Sequence, residues 1–152
     1  MRRKDREMDA AFAWDVVDRC TYAVLSVSCE DGTPYGVPVS IARRENSVYF
    51  HCAREGKKVD CLRSRPGVCL TCVAYAQADE DRLTVRYESA VAFGNAVQVL
   101  DDAEKLEALR LICLRHTPHN MAGFERSVSR GPCSAAVYRI DVGQITGKRN
   151  RI

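Results

Sequence analysis

No apolar run in this chain reaches the length of a membrane span, and the opening MRRKDREMDAAFAWDVVDRC carries charge where a secretory signal would carry an apolar centre. A cytoplasmic location is the expectation, with no membrane partner. The two common glycine-rich nucleotide-binding turns, G-x-G-x-x-G and the Walker sequence, are also missing, so neither usual route to a nucleotide applies. An excess of one charge is missing too. Lys+Arg total 23 against 20 Asp+Glu, a formal net charge of +3. That falls short of the strong basic stripe of a dedicated nucleic-acid binder, and no nucleic-acid partner is expected. Repeats, low-complexity stretches and linkers are absent.

What is there fits an ordinary globular domain. The 152 residues are 46% hydrophobic and 28% charged, enough for one core. The expectation is a single domain over 1–152, with 1–8 as a flexible N-terminal tail. Cysteine is plentiful, with eight at 20, 29, 52, 61, 69, 72, 113 and 133. In the cytosol these are expected to stay reduced, as small buried hydrophobic residues. Cys69-Leu70-Thr71-Cys72 has a metal-ligand spacing, but VCLTCVAY reads as a strand. Residues i and i+3 of a strand face opposite ways, and no second pair at knuckle spacing follows, so no metal is expected.

A first helix is predicted from Asp9 as N-cap to about Arg19, with Phe12, Val16, Val17 and Cys20 as its apolar stripe. The next segment reads as a three-stranded meander with turns at Asp31-Gly32 and Glu45-Asn46. A helix over about 56–64 follows and is stopped by Pro66. VCLTCVAY is a strand, AQADEDR a polar loop, and LTVRYESAVAFGNAVQVL one long strand bent at Gly94. Asp101 and Glu104 form a capping box for a helix with Leu106, Leu109 and Cys113 on one face. HTPHNMAGFERSVSRG reads as irregular with a helical turn, and the chain closes on a strand and a basic tail. Six or seven strands with two or three peripheral helices predict a mainly β, antiparallel barrel.

The most informative run is VYFHCAREGKKVD at 48–60. A strand ends, turns through Gly56, and opens a helix on Lys57 and Lys58. Unpartnered N–H groups, the positive end of the helix dipole and two ammonium groups there form an anion site. His51 stands a few residues upstream. The run points to a phosphorylated cofactor.

The strand order, with VPVS, YFHCAREGKK, PGVCLT, YESAVAFGNA and a closing ITGKR, resembles the flavin-binding split-barrel superfamily that contains pyridoxamine 5′-phosphate oxidase. Within it the likeness is to the nitroimidazole-resistance (Nim) proteins and their flavin-nucleotide-binding relatives. The likeness covers about 9–149 and centres on His51, Ala53, Gly56 and Lys58. It implies a homodimeric split barrel with FMN sites at the subunit interface. Pro38, Val39 and Ser40 would run beside the isoalloxazine, Phe50, His51, Cys52 and Ala53 would line the ribityl and ring edge, and Lys57 with Lys58 would take the phosphate. Tyr87, Ser89, Lys148 and Arg149 would come from the other subunit. His51, at the Nim histidine position, is the candidate catalytic residue. The implied activity is reduction of a small acceptor at the flavin, with NAD(P)H as a candidate donor although no motif for it is present. The arginine set and longer C-terminal segment of the oxidase proper are not found, which argues against pyridoxamine phosphate oxidation.

Other readings stay open beside this one: a flavin carrier or sensor without turnover, a haem-binding split barrel, or a pyridoxal-phosphate binder using the same lysines. His116 and His119 read as exposed loop residues, because Pro118 interrupts any helix between them. Trp14 reads as packing, and a Cys52–His51 dyad is disfavoured because adjacent strand residues face opposite ways.

Overall fold

A computed structural model describes residues 2–130 and 134–151; Cys133 lies outside the described residues. Among them are eight strands: β1 (Glu7–Met8), β2 (Ala23–Ser28), β3 (Pro34–Val39), β4 (Ile41–Arg44), β5 (Ser47–Cys52), β6 (Gly67–Asp79), β7 (Thr84–Gln98) and β8 (Ala136–Asn150). Four α-helices accompany them: α1 (Ala10–Arg19), α2 (Lys57–Ser64), α3 (Asp102–His116) and α4 (Met121–Ser129). The strands form one antiparallel sheet in the order β3-β2-β6-β7-β8-β5-β4, with β1 alongside β8. β1 ties Glu7 and Met8 to Lys148 and Gly147, where the sequence reading places a tail.

The expected meander is corrected. β2–β3 and β4–β5 are two hairpins, turning at the predicted sites, but they lie at opposite edges of the sheet. Only Ser40 separates the end of β3 from the start of β4. Two residue steps span at most about 7 Å, so the two edges must come together and the sheet must curl into a barrel. Alternating residues fill it: Ala23, Leu25, Ile41, Val48, Phe50, Leu70 and Ile140 are all buried at 1% exposure or less. α1 packs on β6, β7 and β8 and adds Ala13, Val16 and Val17 to this core. The Asp9 carboxylate accepts from the Phe12 N–H at 2.8 Å and fixes the start of α1 as predicted.

The long strands hold together around one bend. β7 runs from Thr84 to Gln98, and its register with β8 slips between Phe93 and Gly94. A Cβ at Gly94 would sit 2.3 Å from the Asp141 carbonyl oxygen, so only glycine lets β8 approach here. Gly94→Ala is expected to destabilise by about 1–3 kcal/mol, read as a lower denaturant midpoint with unchanged slope. An unchanged midpoint would mean that the bulge yields freely.

Four further expectations are corrected. AQADEDR is not a free loop: β6 continues to Asp79, whose carboxylate accepts from Arg86 at 2.8 Å and from the Arg82 N–H at 3.3 Å to brace the β6–β7 turn. The buried face of α3 is Ala108 and Ile112, packed on Ala42, Tyr49 and Val137; of the predicted face, Leu109 packs against this cluster while Leu106 is exposed. The stretch read as irregular contains the nine-residue α4. The basic tail belongs to β8, where Lys148 and Arg149 pair with Ser89 and Glu88. Asp101 does cap α3, accepting from the Glu104 N–H at 2.7 Å.

The cysteines divide. Cys69 and Cys72 point to opposite sides of β6, as the strand period requires. The expectation that all thiols stay reduced is corrected for one pair: Cys29, in the β2–β3 turn, and Cys61, in α2, are joined as a disulfide, with Cα atoms 4.2 Å apart. They are distant in sequence but the fold seats α2 against β2.

Candidate functional site

The strand period sets what β5 offers. Val48 and Phe50 turn into the barrel; Tyr49 and His51 turn outward. Phe50 is fully buried and stacks on Tyr138, its partner across β8, with ring centroids 5.4 Å apart. It therefore forms core beneath the site and not an open wall. His51 is exposed, Cys52 is half-buried, and Ala53 follows at the surface. Beyond them an open cleft of about 620 Å³ is lined by His51, Cys52, Ala53, Arg54, Glu55, Ser134 and Ala135. Arg54 closes one side by donating to the Ser134 carbonyl at 2.7 Å.

The turn beyond the cleft is held by Gly56, whose φ of 118° suits glycine alone. Its carbonyl accepts from the N–H groups of Val59 at 2.8 Å and Asp60 at 3.1 Å, leaving those of Lys57 and Lys58 at the open end of α2. The two lysines diverge from there. The Lys57 ammonium lies 5.0 Å from the Tyr35 ring on β3, and that of Lys58 lies 5.6 Å from the Phe50 ring on β5. The β3–β4 junction links the two hairpins that carry these rings, with Pro38 and Ser40 exposed and Val39 buried in the core.

Electrostatics favour uncharged groups beside the lysines. Desolvation, then the Lys58 and His116 charges, lowers the His51 pKa, which favours the neutral ring. Burial pushes the Cys52 thiol up, which keeps it protonated and further disfavours a nucleophilic dyad. His116 is not an exposed loop residue: it ends α3, half-buried, with Nε2 2.9 Å from the Ile41 carbonyl oxygen. His119 is exposed, as expected.

The remaining predicted residues form a second group. Tyr87 and Ser89 share one face of β7 with Lys148, whose ammonium lies 5.7 Å from the Tyr87 ring and whose residue pairs with Ser89. Burial would raise the Tyr87 phenol, but Arg6 and Lys148 bring it below its usual value. Arg149 takes the opposite face, over Phe12 of α1 at 5.3 Å. This group does not meet the lysines of α2 within one chain. Cys52 pairs with Ala136 at one end of β8, and Lys148 lies twelve residues further along, about 40 Å of extended strand.

Sequence reasoning left Tyr138, Arg54 and Ser134 out of the site and read Tyr35, on one strand face with Val37, as open to mere barrel filling. Arg54 was legible as part of the basic cluster near Lys57. The two tyrosines needed the strand pairing. Among the described residues there is no group of three or more His, Cys, Asp or Glu able to hold a metal ion. None of the described helices is long and apolar enough to cross a membrane.

A curled antiparallel sheet whose two edge strands are joined by one residue, with a lysine-tipped helix at its mouth, defines a split-barrel protein. The family profile described as Pyridoxamine 5′-phosphate oxidase matches residues 9–149, and the chain belongs to that family. No curated protein matches it. Solved structures share the fold at low identity. One is from Bacteroides thetaiotaomicron, provisionally assigned to 5-nitroimidazole antibiotic resistance: 22% identity over 93% of this chain and 85% of that one, TM-score 0.76. The flavocytochrome Anf3 of Azotobacter vinelandii is 18% identical over all of this chain and 72% of its own, TM-score 0.78. A FAD-binding protein of Mesorhizobium loti is 19% identical over 96% and 98%, TM-score 0.71.

Proposed function

We propose that the protein binds FMN as a homodimer and acts as a flavin-dependent oxidoreductase that reduces a small acceptor. One observation carries the reading: in a chain of this family, Gly56, Lys57 and Lys58 open α2 beside the cleft floored by His51, Cys52 and Ala53. The names of the Mesorhizobium and Azotobacter structures support a flavin as the ligand class. FMN is our choice within that class, because two ammonium groups at one helix N-terminus match a single terminal phosphate.

The donor set fits that cofactor. Lys57, Lys58 and the free N–H groups of α2 would hold the phosphate dianion. Pro38, Ser40, His51, Cys52 and Ala53 would border the ring system. Tyr87, Ser89 and Lys148 would be supplied by the second subunit, since one chain keeps them apart from α2. Flavin, when bound, supplies two-electron chemistry, and the protein supplies binding, orientation and electrostatics. Neutral His51 offers one N–H donor, which would hydrogen-bond a developing anion on a reduced acceptor, and one acceptor nitrogen. Cationic Lys148 at the far end would favour negative charge there.

The absorbance spectrum of the purified protein, before and after NADH or NADPH, tests this. The expected result is a flavin spectrum that bleaches with one donor, and FMN in the mass spectrum of the released ligand. A flavin spectrum unmoved by either donor would leave a carrier or sensor. A Soret band would replace the reading with haem binding.

A further inference from the structure

The Cys29–Cys61 disulfide lies outside every role assigned above, yet it lines the same cleft as Lys57 of the phosphate clamp. Cys61 follows Lys57 by four residues on α2, so the two share a helix face. Both line an open cleft of about 580 Å³, together with Cys29, Glu30, Asp31 and Asp60. We propose that this disulfide is a positioning device: it holds Lys57 where the flavin phosphate needs it, and its reduction loosens the clamp. The inference rests on the flavin reading.

Three features support it. α2 has only eight residues, too few to be stable by itself, so its placement depends on what fastens it. Its fastenings are the buried side chains of Val59 and Leu62, the disulfide, and Arg65, which donates to the Glu30 carbonyl at 3.1 Å. The disulfide ends on a fixed point, because the Cys29 N–H donates to the Thr33 carbonyl and the Cys29 carbonyl accepts from the Gly32 N–H, each at 2.9 Å. Finally, Lys57 has competitors for its charge. The Asp31 carboxyl is held below its usual range by the Thr33 N–H and hydroxyl, with Lys57 adding to the effect, and Glu30 and Asp60 share the cleft. With α2 fastened, the ammonium stays over Tyr35, on the side of the clamp. With α2 loose, it is free to settle on these carboxylates and is lost to the phosphate.

The chemistry is ordinary thiol–disulfide exchange. A small dithiol attacks as its thiolate at the sulfur of Cys29, the more exposed residue of the two at 9% against 2%. Its second thiol then releases the mixed disulfide. Two electrons pass from the dithiol, which leaves as a cyclic disulfide, and Cys29 and Cys61 each end as a protonated thiol.

The test compares FMN with riboflavin, which lacks the phosphate. Both are titrated into full-length protein in three forms: as purified without reductant, reduced with dithiothreitol and desalted under argon, and as the Cys29→Ser/Cys61→Ser variant. Thiols are counted by alkylation and mass spectrometry. The expected result is a gain of two thiols on reduction, an FMN Kd at least tenfold higher in the reduced form and in the variant, and a riboflavin Kd within twofold in all three. Two new thiols with unchanged FMN affinity would overturn the inference and leave the flavin reading standing. So would parallel loss of both ligands, which marks a collapsed site, or the absence of any disulfide in the protein as purified. Failure of the as-purified protein to bind FMN would remove the flavin reading, and the inference with it.

Discussion

Lys57→Ala/Lys58→Ala weakens FMN binding by about 2–4 kcal/mol, taking charge-assisted hydrogen bonds at roughly 1.5–3 kcal/mol each and allowing for partial loss. That is roughly a thirtyfold to thousandfold rise in Kd, measured by quenching of flavin fluorescence. Both side chains reach solvent and neither takes part in an ion pair among the described residues, so their removal costs only the contacts of their ammonium groups with the Tyr35 and Phe50 rings. The thermal midpoint of the ligand-free protein should therefore hold within a degree or two. Riboflavin affinity should hold as well, because riboflavin has no phosphate for the lysines to hold. An unchanged FMN affinity would remove the clamp from the site. An equal loss for riboflavin would move the lysines from the phosphate to the ring.

Phe50→Ala has the largest expected effect on stability, about 3–5 kcal/mol by the usual cost of truncating a buried aromatic residue. Phe50 is fully enclosed, stacks on Tyr138, and sits between Ile41 and Tyr138 in the pairing of β4, β5 and β8. Its loss opens a cavity where the two halves of the barrel meet. Chemical denaturation reads it directly. The same variant decides between two views of this side chain. If stability holds while FMN affinity falls, Phe50 is a cofactor wall, as the family resemblance implies; if stability falls, it is the core beneath one.

Local signals were legible where the chemistry is local. The Asp9 and Asp101 caps, the Gly56 turn and the kink at Gly94 depend on residues a few positions apart, and the structure has each of them where the sequence placed it. The alternation of β5 was legible as well, but not its outcome. A period of two says that Phe50 and His51 face opposite ways; which face is buried depends on β8 and α3, which lie far along the chain. The same limit hid the disulfide, because Cys29 and Cys61 meet only once α2 docks on β2. The meander failed for a related reason. Val39-Ser40-Ile41 reads as continuous strand, and only the whole sheet reveals that the chain leaves one edge and joins the other there. Of the two lysine groups, the one at α2 was readable from the thirteen residues 48–60, whereas Tyr87, Ser89 and Lys148 converge through pairing between distant strands.

The position of β8 has a consequence for how the molecule is made. It is last of the eight strands in chain order, yet it lies in the interior of the sheet, between β7 and β5. Until it arrives, β5 and β7 each present a bare row of backbone donors and acceptors, the kind of edge that recruits strands from other chains. A nascent chain carrying β1 to β7 can form both hairpins but cannot join them, since β8 is the bridge. The emerging protein thus passes through a stage of two open half-sheets, and the step that completes the barrel is also the one that silences its stickiest surfaces.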